Sequence, residues 1–165
     1  MQVPYRKPGK FGLVKNDPLL TKEKYNELKN KLVSLKKARP QLAAEVSRLA
    51  ELGDFSENVE YQLAKGKLRG VNNGILKLET QLNQAIIIDS QLQTNMIQVG
   101  STVTMFCNGK EVVYKILGSS ETDPTKGIIS YNSPIGSALV GHKVGEKVTI
   151  KMANREVEYE IIKID

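Results

Sequence analysis

The sequence predicts an α+β protein in two parts: an antiparallel coiled-coil helical hairpin, followed by a small, mostly antiparallel β-sheet domain with one short helix. Three observations predict it. Two long apolar seams repeat at alternating spacings of three and four residues, and a short acidic bend separates them. After Asp89 the period changes to two, around an Asn-Gly pair.

The first helix opens at Thr21, a residue type that caps helices by accepting an amide hydrogen bond. Its seam runs Tyr25, Leu28, Leu32, Leu35, Arg39, Leu42, Val46, Leu49, with only Arg39 off-type. The second seam runs Tyr61, Ala64, Leu68, Val71, Ile75, Leu78, Leu82, Ala85 without a slip. Two heptad seams joined by a tight bend imply an antiparallel pair of helices. At about 30 residues per arm and 1.5 Å rise, the rod is roughly 45 Å long. Two features strain it. Pro40 sits inside the first helix, where it costs about 3 kcal/mol or kinks the chain. Gly66, Gly70 and Gly74 recur every four residues, each costing up to ~1 kcal/mol against Ala. Their heptad positions (f, c and g) mostly face away from the seam. Either something approaches that outer face closely, or the rod is locally soft.

In the second part, Ser101–Phe106 and Glu111–Leu117 alternate around Asn108-Gly109, a two-residue hairpin signal. Residues 118–127 read as a loop and 127–131 as a short strand. Pro134 to Val140 suits one or two helical turns, with Pro134 at a tolerated first position. Lys147–Met152 and Glu156–Ile164 complete the alternating strands. The expected organisation is a basic extension over 1–18, the hairpin over 19–90 and the sheet domain over 91–165, with the boundary near 88–97.

Bulk properties narrow the class. The 165 residues suffice for one compact domain or two small ones. With three Phe, six Tyr and no Trp, any single core is thin. No signal-peptide segment or apolar run of about 18 residues is present, so a soluble, cytoplasmic protein with no membrane partner is expected. Cys107 is the only cysteine, which excludes an internal disulfide. The net charge of +6 is unevenly placed. Residues 1–48 hold twelve Lys/Arg against four acids, whereas residues 49–60 hold Glu51, Asp54, Glu57 and Glu60 with no base. Residues 91–165 are neutral, with eight of each. A basic arm broken by one acidic knot suits work near nucleic acid or its polymerase; a solvated Lys-rich helix has the same composition.

The knot is the candidate site. Asp54-x-x-Glu57 fits a capping box, Asp54 at N-cap and Glu57 at N3, contributing about 1 kcal/mol. Capping does not explain why Glu51 and Glu60 gather at the same end. The other reading is hard-cation chemistry, since carboxylates bind Mg²⁺ as one or two ligands beside waters. A lone Asp/Glu pair holds Mg²⁺ weakly unless a second protein supplies the remaining ligands. A metal so shared lowers the pKa of water and aligns it for attack on a phosphodiester. There is no Cys/His cluster for zinc and no Gly-rich phosphate loop, and His142 reads as a surface residue.

Arg39-Pro40 and Gly53-Asp54-Phe55-Ser56-Glu57-Asn58-Val59-Glu60-Tyr61 strongly resemble the bacterial Gre transcript-cleavage factors, the GreA/GreB family, nearer its GreA branch. So do Asn132-Ser133-Pro134-Ile135-Gly136-Ser137-Ala138-Leu139-Val140-Gly141 and Val144-Gly145; Gly100-Ser101-Thr102-Val103-Thr104 is a weaker match. The likeness covers roughly residues 19–164 in the family's order. It implies a coiled-coil hairpin followed by an FKBP-like domain, and a hairpin that enters the secondary channel of bacterial RNA polymerase. The tip carboxylates, here Asp54 and Glu57, then help hold a catalytic Mg²⁺ shared with the polymerase and orient the water that cleaves backtracked nascent RNA. Asn132, Ser133 and Pro134 are implied polymerase contacts. Lys65 matches a basic family position just past the tip, an implied contact to the RNA 3′ end, and Lys67, Arg69 or the basic extension stands in for the rest of the family's basic patch. The protein is then a monomeric accessory factor with no tightly bound cofactor and no catalysis of its own.

The chain departs from the family in places. Family members often carry Arg four residues before the tip Asp, where this chain has Ala50. The Gly66–Gly74 stretch replaces a usual Glu-Gln-rich run and a following Arg, and residues 1–18 exceed the usual start. These departures keep a second reading open, a non-catalytic channel binder that modulates or inhibits the polymerase. An FKBP-type prolyl isomerase is disfavoured, because Phe106, Tyr114, Tyr131 and Tyr159 are the only aromatics available for a proline pocket. A plain coiled-coil scaffold predicts that tip mutations alter stability alone.

Overall fold

Helix α1 (Lys22–Glu51, 30 residues) starts where Thr21 is extended and its side chain accepts the Lys24 amide at 3.2 Å. Burial along α1 follows the expected seam. Leu28 and Leu49 are buried, and Tyr25, Leu32, Leu35, Leu42 and Val46 are half-buried. Arg39, the off-type position, is exposed, while the small Ala38 beside it is half-buried. Helix α2 (Val59–Asn83, 25 residues) returns antiparallel, with Ala64, Ile75 and Leu78 buried against α1. Lys36 and Glu79 pair across the helices at 2.6 Å. The computed structural model describes residues 17–52, 58–88, 95–152 and 155–165, with backbone alone at 151, 152 and 155. Most of the expected basic extension therefore lies outside the described residues.

The two strained features resolve differently. α1 runs through Pro40 without interruption, and Pro40 lines a surface hollow with Lys36, Arg39, Ala43, Ile75 and Glu79. A β-carbon on Gly66 or Gly70 would meet nothing within 4 Å. No close neighbour among the described residues therefore explains these two glycines. Gly74 is half-buried and lies 3.1 Å, measured from such a β-carbon, from Leu35 Cδ1. It faces the partner helix, not outward as expected, because a g position borders the seam.

At the open end of the rod, β1 (Leu19–Leu20) pairs in parallel with β2 (Ile86–Ile87). Pro18 O accepts the Ile86 amide at 2.7 Å and Leu20 O accepts the Ile88 amide at 2.9 Å. Leu20 is fully buried with Leu28 and Leu78, under Leu32, Leu35, Leu82 and Ala85. Asp17 and Pro18, expected within the extension, are thus built into the base of the rod.

The second part is a five-stranded sheet. Strands β3 (Thr102–Cys107) and β4 (Lys110–Leu117) form the expected antiparallel hairpin. Its turn places Asn108 (φ 48°) and Gly109 (φ 80°) both at positive φ, as a type I′ turn demands. Strand β5 (Ile128–Ser130) lies parallel to β4, and β6 (Lys147–Met152) and β7 (Arg155–Ile164) close the order β5-β4-β3-β7-β6. The core on one face comprises Val103, Met105, Ile116, Val148, Ile150, Val157, Tyr159 and Ile161, covered by Ile97 and Leu139. Leu139 comes from α3 (Pro134–Leu139), the one short helix. The expected loop at 118–127 holds two 3-10 turns, Ser119–Glu121 and Pro124–Lys126.

The two parts meet at that first turn. Asp17 Oδ2 accepts the Ser119 amide at 2.7 Å. Glu121 accepts from Thr21 twice, from the amide at 2.8 Å and from the hydroxyl at 2.6 Å. Gly118 is buried, and a β-carbon there would stand 2.3 Å from Leu19 O.

Candidate functional site

The far end of the rod is bounded by well-defined helix ends. α1 closes at Leu52, whose amide donates to Ala50 O. α2 opens at Asn58, whose Oδ1 accepts the Tyr61 amide at 3.0 Å. This corrects the capping box expected here: the N-cap of α2 is Asn58, four residues beyond Asp54. Asp, Ser and Asn all cap well, and Asp54, Ser56 and Asn58 compete within five positions. Asp54 and Glu57 themselves lie outside the described residues.

The residues flanking them carry charge and apolar surface outward. Glu51 and Glu60 are exposed, as are Leu52 (69%) and Val59 (68%). Glu60 lies in the first turn of α2, where a carboxylate complements the helix dipole. The three basic positions just beyond do not form one patch. Lys65 and Arg69, four apart, share a face of α2, and Lys65 Nζ stands 5.6 Å from the Tyr61 ring centroid. Lys67, exposed on another face, lines a hollow with Glu45, Arg48, Glu60, Leu63 and Ala64. Arg48, from the last turn of α1, was not singled out in the sequence. Only the antiparallel pairing of the two helices brings it beside Lys67.

On the sheet domain, Ser133 is the N-cap of α3 and accepts the Gly136 amide at 3.0 Å, with Pro134 at the first helical position. Gly136 is buried, and a β-carbon there would lie 2.1 Å from Ser130 O. Asn132 donates its amide to Ser130 Oγ at 3.1 Å. Much of the Asn-Ser-Pro-x-Gly pattern therefore serves to seat α3 on β5, while Asn132 and Pro134 present exposed side chains.

The other titratable clusters have local explanations. His142 Nδ1 lies 2.5 Å from Glu146, and that hydrogen bond holds the Glu146 carboxyl below the usual carboxylate range. Hydrogen bonds from the Thr125 hydroxyl, and then Lys126, do the same for Asp123. Among the described residues, no group of three or more His, Cys, Asp or Glu side chains could hold a metal. None of their helices is long and apolar enough to cross a membrane. Phe106 is exposed while Tyr159 is buried in the core, so these rings do not converge on one pocket.

The sequence matches two family models, one described as the N-terminal domain of a transcription elongation factor over residues 18–87 and one as its GreA/GreB C-terminal domain over residues 92–165. Among curated relatives, it is 39% identical to the transcription elongation factor GreA of Bacillus cereus over 149 residues, covering 88% of this chain and 94% of that protein. It is 38% identical to that of Pelobacter propionicus over 149 residues, with the same coverage. Among solved structures, the GreA factor homolog 1 protein of Thermus thermophilus aligns over 91% of this chain and 99% of that one, at 24% identity and a TM-score of 0.42. With both parts of the chain matched, this protein belongs to the GreA/GreB family of transcription elongation factors.

Proposed function

We propose that this protein binds bacterial RNA polymerase through its secondary channel and stimulates the polymerase's own Mg²⁺-dependent cleavage of backtracked nascent RNA, rescuing arrested complexes. One observation carries the assignment of the tip: α2 is capped by Asn58, so its N-cap does not account for the acids at 54 and 57. Two carboxylates at the end of a rod are an incomplete Mg²⁺ set, suited to completion by another protein's ligands. Asp54 and Glu57 would add their oxygens to such a shared site and accept hydrogen bonds from the attacking water. Bound there, Mg²⁺ would lower the pKa of that water.

The remaining roles follow from placement. Lys65 and Arg69 on one face, with Lys67 and Arg48 on another, offer cations to the RNA 3′ end on two sides of the rod. Asn132 and Pro134 offer exposed contacts to the polymerase, held in place by the cap at Ser133. The protein would act as a monomeric accessory factor without independent catalysis.

The test is RNA cleavage in stalled, backtracked bacterial elongation complexes. Asp54→Ala and Glu57→Ala should each lower the cleavage rate by about 100-fold or more, the scale expected for groups that position the reacting water, while polymerase binding persists. If the unaltered protein binds without accelerating cleavage, the protein is a channel-occupying regulator, the reading favoured by Ala50 and the interrupted basic face.

A further inference from the structure

We infer that Glu121, with Asp17 and Gly118, is a positioning element that fixes the angle of the rod on the sheet domain and so sets where the distal tip arrives. Among the described residues, Asp17 and Glu121 are the acidic side chains whose hydrogen bonds cross between the two parts. Glu121 does not grip an arbitrary point. It takes the amide and hydroxyl of Thr21, the N-cap of α1, and that same hydroxyl accepts the Lys24 amide. A single hydroxyl thereby couples the start of α1 to the sheet domain, with one bond donated and one accepted. Thr21 is buried and Glu121 half-buried, so the contact is partly shielded from water. Asp17 acts from the other side of β1, accepting the Leu19 amide at 3.1 Å and the Ser119 amide at 2.7 Å. The Tyr131 hydroxyl stands 3.5 Å from its Oδ1. Between these two carboxylates, Gly118 lets the Leu19 backbone approach closer than any side chain would permit.

The consequence is leverage. The rod is roughly 45 Å long at 1.5 Å per residue, so about 10° of play at its base moves the tip by about 8 Å. A group that must complete another protein's active site tolerates far less. The joint would thus convert two local carboxylate contacts into precision at the tip.

The activity arm of the test rests on the cleavage-factor reading; the distance arm does not. Spin labels are placed at positions 51 and 111, both exposed, in the full chain carrying Cys107→Ser. Interlabel distances are then measured by pulsed electron resonance. Glu121→Ala, which removes both bonds to Thr21, and Gly118→Ala, which forces Leu19 away, should each shift or broaden the distance distribution on the order of 8 Å, given the lever length. Thr21→Ser keeps both bonds and should match the unaltered protein. In backtracked complexes at saturating factor, the two disruptive variants should lose roughly 10- to 100-fold in maximal cleavage rate, with a smaller change in the factor concentration needed for half-maximal effect. Unchanged distances in both variants would overturn the inference, as would altered distances with undiminished maximal cleavage. If the distances respond but the unaltered protein does not stimulate cleavage, the joint stands and the cleavage reading fails.

Discussion

Asn58 separates two meanings that the acidic bend carries in sequence. A side-chain oxygen at the start of α2 is worth about 1 kcal/mol, and the structure assigns that contribution to Asn58 through its bond to the Tyr61 amide. Asn58→Ala should therefore lower stability by about 1 kcal/mol in chemical denaturation followed by helical circular dichroism. Asp54→Ala should leave the same curve within about 0.5 kcal/mol, as ordinary surface substitutions do. The opposite ranking would return Asp54 to a capping role and weaken its assignment to the RNA-cleavage chemistry. The acids were legible as a cluster because four of them fall within residues 49–60, between two heptad seams. Which residue caps was not legible, since capping depends on backbone dihedrals that three neighbouring residue types satisfy equally. The pattern around Ser133 behaves similarly: the motif is visible, but the 2.1 Å approach that requires Gly136 exists only once α3 rests on β5.

At the scale of elements, the rod and the sheet were legible for a simple reason. Both rest on periods sustained over many residues, so a single off-type residue such as Arg39 does not erase the signal. The β1–β2 pairing was not, because two residues per strand carry no period and their partners lie far apart in sequence. The glycine stripe was only half legible. A four-residue spacing puts Gly66, Gly70 and Gly74 together, yet the packing divides them. With open space above Gly66 and Gly70, Gly66→Ala and Gly70→Ala should each stabilise α2 by up to ~1 kcal/mol. Gly74→Ala gains the same propensity but must displace Leu35, whose Cδ1 lies 3.1 Å from the new β-carbon. It should stabilise less than the other two, or destabilise. Three denaturation curves check the ranking, and equal gains at all three would show that Leu35 yields freely.

For the whole molecule, the question is what this chain brings to a metal and what it leaves to a partner. Carboxylate pairs bind Mg²⁺ poorly because the small ion keeps its waters unless several oxygens converge at octahedral geometry. The proposed donors, Asp54 and Glu57, number two. Calorimetric titration of the isolated protein with MgCl₂ should therefore give no saturable heat with Kd below about 1 mM, the range of weak carboxylate sites. Light scattering on the same sample should give the mass of one chain, since the proposed insertion into a channel needs a single free tip. The contribution of the pair should emerge only in the complex. If Asp54 and Glu57 complete a shared site, the Mg²⁺ concentration supporting half-maximal RNA cleavage should fall when the protein is added, by roughly tenfold for each ~1.4 kcal/mol the added ligands contribute. Asp54→Asn, similar in size but uncharged, should raise that concentration back toward the value without factor. A micromolar Mg²⁺ site on the isolated chain would mean that the protein carries its own metal to the polymerase, and the shared-ligand mechanism would be wrong.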